Sequence, residues 1–290
     1  MSLDTARRSR TLRRVGTHNG ILNIEFIRWL AESSNEESGA RMSDQQLRDE
    51  MMTLFMAGHE TTASALTWTW YLLSQHPEVE TKLLEELHQV LGGRAPCLAD
   101  LPKLPYTEMV IREVIRLYPP APGVAREPIE NVTIGGYAVP KSSLITINIY
   151  AIQHDGRFFS DPERFDPERF AKGWEERMPR YAYLPFGGGP RVCIGNAFAM
   201  MEARLILAAV AQQYKLSLGS LDVIPPVQLV TLRPSGPVQM RLARRSRRFP
   251  RWPPFELPDD TRLAPSAGRS VPHRIISVSG LRKCWAISIP

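Results

Sequence analysis

The sequence predicts a mainly α-helical fold with small β-sheets, and two patterns carry this prediction. Apolar residues recur at helical spacing from residue 43 onward, with no proline before Pro77. Short alternating apolar runs around a glycine pair occupy 132–149 and indicate strands. The 290 residues are 43% hydrophobic and 23% charged, so the chain can bury a core.

The long helix begins at a capping pattern, in which Ser43 is followed three residues later by Gln46. The pattern then continues for about 30 residues, which is ~45 Å of helix and enough to cross a whole domain. Shorter helices are predicted over 77–91, 106–117 and 196–214.

The strands are short and follow the third helix. A hairpin is predicted over 132–139, where Gly135-Gly136 supplies the two-residue turn. Residues 155–190 are rich in Pro, Gly, Phe and charge, which indicates an ordered segment without regular structure. Further strands are predicted over 144–149, 215–218, 227–232 and 238–242.

The net charge of +6 belongs to the two ends of the chain. Residues 1–20 carry +4 and residues 241–290 carry +8, whereas residues 21–240 carry −6. Because the middle is acidic, no nucleic-acid partner is predicted. We predict one domain over 21–245, with a disordered basic N-terminal tail before it and a disordered Arg-, Pro- and Ser-rich tail at 246–290.

The chain carries no sign of membrane insertion or secretion. No apolar run reaches the ~18–20 residues that span a bilayer, and the Arg-rich N-terminus lacks the apolar stretch of a secretory signal. The three cysteines, Cys97, Cys193 and Cys284, are few and far apart, which argues against a disulfide framework. These observations predict a reducing compartment and a cytoplasmic protein; the alternative that stays open is a membrane anchor lost with a missing N-terminal half.

The glycine-rich stretch 186–195, FGGGPRVCIG, surrounds Cys193. A cysteine that binds a metal as thiolate needs an electropositive pocket and close backbone approach. Four glycines allow that approach, Arg191 supplies a cation, and a helix beginning near Asn196 turns its positive end toward the sulfur. The stretch therefore predicts a metal-binding cysteine rather than a free thiol in a turn.

Gly58, Glu60 and Thr61 form an unusual group within the long helix. Gly58 leaves space beside the backbone for a flat cofactor or O₂. An acid and a hydroxyl in an apolar helix suit a proton relay; the alternative has Thr61 bonded to the carbonyl four residues earlier and Glu60 reaching solvent. His59-Glu60 begins the zinc motif H-E-x-x-H, but Ala63 stands at the second ligand position, so no zinc hydrolase is predicted.

Four motifs, in this order along the chain, resemble those of the cytochrome P-450 family, the haem-thiolate monooxygenases. They are A-G-H-E-T-T at 57–62, E-x-x-R at Glu113 to Arg116, P-E-R-F within 165–170, and F-x-x-G-x-R-x-C-x-G at 186–195. The resemblance covers about 21–243, the family's C-terminal half. It implies an N-terminally truncated cytochrome P-450 fold with a long central helix and a cysteine loop that ligates haem.

The resemblance also implies the cofactor and the residue roles. The cofactor is heme b, iron protoporphyrin IX, with the Cys193 thiolate as metal ligand. Glu60 and Thr61 are implied to be catalytic, in proton delivery during oxygen activation. Glu113, Arg116 and Arg169 are implied to be structural, as a buried group that braces the cysteine loop. The residues implied to bind the cofactor are Phe186, Gly189, Arg191, Cys193, Gly195, Arg126 and Gly58.

The implied reaction inserts one oxygen atom of O₂ into an apolar organic substrate. The electrons would come from a separate electron-transfer protein, a ferredoxin or a flavin reductase, since no flavin or iron–sulfur domain is visible in the chain. A basic patch at Arg191 and Arg204 is expected to dock that protein. Two alternatives stay open: a truncated haem-binding remnant without activity, and an interaction protein that uses the basic tail at 246–290.

Overall fold

The computed structural model describes residues 41–220 and 223–245, and within these ranges the fold is mainly α-helical with small sheets, as predicted. The helices are α1 Asp44–Gln75, α2 Pro77–Leu91, α3 Pro105–Leu117, α4 Ile149–Gln153, α5 Trp174–Arg177 and α6 Asn196–Gln213. Short 3₁₀ turns are Leu98–Lys103, Pro167–Phe170 and Gly189–Arg191. The tails predicted at 1–20 and 246–290 lie outside the described residues.

The predicted signals set the bounds of the first two helices. The Ser43 hydroxyl accepts a hydrogen bond from the Gln46 amide at 3.2 Å, so α1 begins where the capping pattern stands. Pro77 opens α2, since proline suits the first turn of a helix and cannot continue the preceding one. α2 ends at Gly92, whose φ of +58° is the left-handed conformation common after helices.

The core lies between the second half of α1 and helices α2, α3 and α6. Trp68 of α1 is fully buried, and its indole stacks on the ring of Tyr118 with 3.9 Å between the ring centroids. Tyr71 meets the same indole edge-on at 5.4 Å. The core is completed by Leu72, Leu83, Leu87, Val110, Val114, Leu207 and Ala211.

The strands of the described residues form two-stranded antiparallel ladders. The hairpin of β2 and β3 turns at Gly135 and Gly136, whose φ angles are both positive, as a two-residue turn requires. The strands are β1 Gly123–Arg126, β2 Val132–Ile134, β3 Tyr137–Val139, β4 Ile145–Asn148, β5 Tyr214–Leu218, β6 Pro226–Gln228, β7 Leu232–Pro234 and β8 Met240–Arg244. The ladders pair β1 with β4, β2 with β3, β5 with β8, and β6 with β7.

Two strand predictions were wrong in detail. The single strand predicted over 227–232 is a hairpin of β6 and β7, because the Leu229 amide turns back to donate to the Thr231 carbonyl at 3.1 Å. The strand predicted over 144–149 ends at Asn148, whose side chain accepts from the Ala151 amide at 2.9 Å and so begins α4.

No helix in the described ranges is long and apolar enough to cross a membrane.

Candidate active site

The loop that carries Cys193 is closed by backbone hydrogen bonds within itself. The Cys193 amide donates to the Phe186 carbonyl at 2.9 Å, and the Val192 amide donates to the Gly189 carbonyl at 3.1 Å. Gly187 and Gly189 adopt φ angles of +71° and +70°, which side chains other than glycine rarely permit. Gly187 and Gly189, two of the four glycines noted in the sequence, are therefore needed for the loop's shape.

The thiol of Cys193 is exposed and free, and it lies at the start of α6. A methyl group placed on Gly195 would sit 3.9 Å from the sulfur, which puts the thiol beside the residue that caps this helix. The start of a helix is the positive end of its dipole, where negative charge is favoured. The position suits a sulfur that acts as a thiolate.

Three apolar residues close to Cys193 in the sequence face solvent. Val192 is 47% exposed, Ile194 is 93% exposed, and Phe198 in the first turn of α6 is 61% exposed. Exposed apolar side chains of this kind suit contact with an apolar ligand.

Two arginines that the sequence assigned to the cofactor have no carboxylate partner among the described residues. Arg126 ends β1, is exposed, and donates to its neighbouring carbonyl, that of Ala125, at 2.7 Å. Arg191 is exposed in the 3₁₀ turn before Cys193. A guanidinium binds a carboxylate through two parallel hydrogen bonds. A thiol, exposed apolar side chains and guanidinium groups without a carboxylate partner in the described part of the chain are the kinds of group that suit a flat apolar macrocycle with carboxylate substituents.

The three residues predicted to be structural lie together in the interior. Glu113 and Arg116 are fully buried and joined by two hydrogen bonds, of 2.7 and 2.9 Å. Arg169 approaches the same carboxylate with 3.3 Å between its Nε and Oε1 of Glu113, which also accepts from the Asp166 amide at 2.9 Å. Arg116 further donates to the Gln153 carbonyl at 2.8 Å. The group ties α3 to the segment before the cysteine loop.

Thr61 adopts the alternative arrangement weighed from the sequence. Its hydroxyl donates to the Ala57 carbonyl at 2.7 Å, one helical turn earlier. Gly58 is exposed, and a Cβ atom added at this position would have no neighbour within 4 Å. The helix surface beside Gly58 is therefore open. The catalytic roles of Thr61 and Glu60 stay predictions.

Glu60 has partners that the sequence did not indicate. Its carboxylate accepts hydrogen bonds from the Thr231 hydroxyl and from the guanidinium of Arg233, which also donates to the Thr231 hydroxyl at 3.0 Å. The Thr231 hydroxyl and the Arg233 charge lower the pKa of Glu60 below its ordinary value, against a smaller opposing effect of burial. Because these partners lie about 170 residues away in the chain, no local spacing could have revealed them.

The same face of α1 fastens the β6–β7 hairpin at two further points. The Ser64 hydroxyl donates to the Leu232 carbonyl at 2.8 Å, and the Trp68 indole donates to that carbonyl at 3.4 Å. Glu60, Ser64 and Trp68 are four residues apart, so they share one face of the helix. The Leu232 amide donates to the Pro120 carbonyl at 3.0 Å, which holds the hairpin between α1 and the segment after α3.

The prediction of a basic docking patch at Arg191 and Arg204 was wrong for Arg204. Its side chain is only 11% exposed and pairs with Glu108 at 2.8 Å. It also donates to the Leu101 carbonyl, so its charge is used inside the fold. Arg191 alone of the two is exposed.

Comparisons with known proteins identify the family of this chain. The model of the cytochrome P450 family matches residues 8–242. Cyclooctatin synthase of Streptomyces melanosporofaciens is 46% identical over 187 residues, which are 64% of this chain and 41% of that protein. Putative cytochrome P450 132 of Mycobacterium bovis (strain ATCC BAA-935 / AF2122/97) is 41% identical over 233 residues, 77% of this chain and 50% of that protein. This chain therefore belongs to the cytochrome P450 family.

Solved structures give the same fold. A crystal structure of the cytochrome P450DA heme domain matches with a TM-score of 0.70 at 30% identity, covering 74% of this chain and 48% of that one. A crystal structure of a cytochrome P450, CYP102L1, matches with a TM-score of 0.72 at 28% identity, covering 83% of this chain and 56% of that one. The chain spans about half the length of the proteins it matches.

Proposed function

We propose that this chain binds heme b through the Cys193 thiolate and acts as a monooxygenase that inserts one oxygen atom of O₂ into an apolar organic substrate. The observation that carries the proposal is the exposed thiol in the glycine-shaped loop just before α6, next in sequence to the exposed apolar residues Val192 and Ile194. Family membership supports the cofactor, and a 39% identical relative is named cyclooctat-9-en-7-ol 5-monooxygenase. These relatives favour the enzyme over an inactive haem-binding remnant.

The residues of the site are proposed to hold the cofactor through different groups. Cys193 would supply the metal ligand, Phe186 and Gly189 give the loop its shape, and Gly195 lies beside the thiol just before α6. Arg126 and Arg191 would bind the carboxylates of the macrocycle. When bound, haem with a thiolate ligand supplies the redox chemistry that cleaves the O–O bond.

The protein's own contribution to proton handling is proposed to lie on α1. The Thr61 hydroxyl is held at a fixed place because it donates a hydrogen bond to the Ala57 carbonyl. Its oxygen can still accept a hydrogen bond from a proton donor. Gly58 keeps the neighbouring helix surface open. Electrons are proposed to come from a separate ferredoxin or flavin reductase that docks near Arg191.

The test is haem binding by the purified chain, followed by reduction under carbon monoxide. A Soret band shifted as thiolate ligation shifts it supports the proposal, since Cys193 is, of the two cysteines in the described residues, the one in the glycine-shaped loop before α6. Cys193→Ala should lose that band, and Cys97→Ala, which removes the other exposed cysteine of the described residues, should keep it. No haem uptake, or a band typical of histidine ligation, would contradict the proposal.

Oxygen insertion is tested separately with a ferredoxin, its reductase and ¹⁸O₂. The probe is cyclooctat-9-en-7-ol, the compound in the name of one relative. We expect one ¹⁸O atom in the product and none after Cys193→Ala. Haem binding with the thiolate band but no labelled product from a panel of apolar probes would separate cofactor binding from catalysis and contradict the monooxygenase.

A further inference from the structure

Gln153, the last residue of α4, is a fully buried polar residue for which the sequence analysis assigned no role. A carboxamide carries two donor hydrogens and one acceptor oxygen, and burying it without partners is costly. Both ends of the Gln153 carboxamide are hydrogen-bonded to backbone, on two different segments of the fold. A buried group that is fully paired on both sides fixes the distance between the segments it joins.

The donor end of Gln153 holds the end of α3. Its Nε2 donates to the Ile115 carbonyl at 3.1 Å and to the Arg116 carbonyl at 2.9 Å. Arg116 returns a bond, since its Nη1 donates to the Gln153 backbone carbonyl at 2.8 Å. The main chain and side chain of Gln153 are thus both tied to the residue that pairs with the buried Glu113.

The acceptor end of Gln153 holds the base of the cysteine loop. Its Oε1 accepts from the Leu184 amide at 3.0 Å. The Leu184 carbonyl in turn accepts from the Gly187 amide at 2.9 Å, and the next backbone bond joins Phe186 to Cys193 at 2.9 Å. One carboxamide therefore connects α3 to the first turn of the loop that presents the thiol.

We propose that Gln153 is the positioning residue of the cysteine loop: its carboxamide transfers the fixed position of α3, set by the buried Glu113–Arg116 pair, to Leu184 and so to Cys193. The Tyr183 hydroxyl gives the preceding residue a separate attachment, to the Arg112 carbonyl at 3.1 Å. Gln153 differs from Tyr183 because its side chain binds a backbone group at the base of the loop, the Leu184 amide. The consequence for ligation rests on the proposed function, whereas the consequence for loop order does not.

The first test needs no haem. Gln153→Met keeps the length of the side chain but removes the three hydrogen bonds, leaving the Leu184 amide without its acceptor. Losing a buried hydrogen bond and leaving its partner unpaired should raise local opening of the loop about tenfold. We therefore expect amide hydrogen exchange of residues 184–193 in the full chain to accelerate about tenfold.

The matched control is Gln212→Met. Gln212 is also a fully buried glutamine, but it lies near the end of α6 and donates to the carbonyls of Ala208 and Arg94, at 3.2 and 3.4 Å. This variant should leave exchange at 184–193 within about twofold of the unchanged chain, because its bonds do not reach the loop. Equal acceleration in both variants would overturn the proposal, since it would show general destabilisation.

A second variant covers the case in which Gln153→Met does not fold. Gln153→Asn brings no charge into this buried site but shortens the side chain by one methylene, so its carboxamide cannot span both segments, and an intermediate acceleration is expected. Unchanged exchange at 184–193 in Gln153→Asn, with Gln153→Met unfolded, would also overturn the proposal.

The consequence for ligation is read in the haem-loaded chain. Gln153→Met should give a smaller fraction of the thiolate-type carbon monoxide band than Gln212→Met, because the sulfur is less fixed. Equal fractions in the two loaded variants would refute the link from loop order to ligation. If the unchanged chain binds no haem, the proposed function fails, and the exchange result alone decides whether Gln153 positions the loop.

Discussion

At the scale of single residues, Glu60 shows how a tertiary partner changes what an acidic side chain can do. A free carboxyl in an apolar helix would suit a proton carrier, but this one is engaged by Thr231 and Arg233. Two hydrogen-bond donors stabilise the ionised form of a carboxyl group, so the group takes up a proton less readily. Glu60 is therefore suited to fasten the β6–β7 hairpin to α1 over the ordinary pH range.

The pKa of Glu60 tests this pairing. Because the folded pKa lies below the ordinary value of 4.5, the pairing stabilises the fold above that value and is lost as pH falls through the lowered one. Arg233→Met should raise the pKa of Glu60 toward its ordinary value, measured by NMR titration of the carboxyl carbon. Arg241→Met, at an exposed arginine of β8, is the matched control and should leave it unchanged. An equal pKa in all three proteins would contradict the pairing.

At the scale of elements, the buried Glu113–Arg116 pair joins α3 to α4 and to the segment before the cysteine loop. The guanidinium of Arg116 reaches three acceptors: the Glu113 carboxylate, the Gln153 carbonyl at 2.8 Å and the Arg164 carbonyl at 3.2 Å. Neither charge reaches water, so each depends on the other to offset the loss of hydration. The pair fixes how these elements meet.

The cost of breaking that pair should far exceed that of breaking a partly exposed pair on the same helix. Arg116→Met leaves the Glu113 charge buried without its main partner, and we expect a loss of about 3–5 kcal/mol in the free energy of unfolding by urea. Arg112→Met breaks the partly exposed pair with Glu108 and should cost about 1 kcal/mol. The double change Glu113→Leu with Arg116→Met should be more stable than Arg116→Met alone; a double variant no more stable would show that buried charge is not the cause.

At the scale of the whole molecule, packing and exposure divide the described residues into two regions. The second half of α1 is buried against α2, α3 and α6, whereas Met52, Phe55 and Met56 in its first half are about half exposed. The side chains around Cys193 are exposed as well. Since covering apolar surface is favourable, a bound apolar cofactor should stabilise this chain measurably.

Haem should raise the melting temperature of the chain by mass action. At a free concentration one hundred times the dissociation constant, binding adds about 2.7 kcal/mol, which corresponds to about 5–10 °C for a domain of this size. Iron-free protoporphyrin offers the same ring and carboxylates without a metal, so its shift should be smaller. Cys193→Ala should reduce the haem shift to that of the iron-free ring; an undiminished shift in this variant would argue against thiolate ligation.

Much of the fold could be predicted because its signals are local. The Ser43 cap, Pro77 and the Gly135-Gly136 turn each act through the backbone within a few residues, so their effect does not depend on distant parts of the chain. The strand predicted over 227–232 failed for the opposite reason. Its middle turns toward α1, where Glu60 binds Thr231 and Ser64 binds the Leu232 carbonyl.

By itself, the sequence determined the helical fold, the family and the glycine-shaped loop of Cys193, since spacing and glycine conformation act locally. The tertiary structure alone decided how the polar residues are used. It placed Arg204 inside the fold against Glu108, gave Glu60 its partners in the β6–β7 hairpin, and brought Gln153 between α3 and Leu184. These contacts join residues about 30 to 170 positions apart, and only the packed chain brings their hydrogen-bonding groups together.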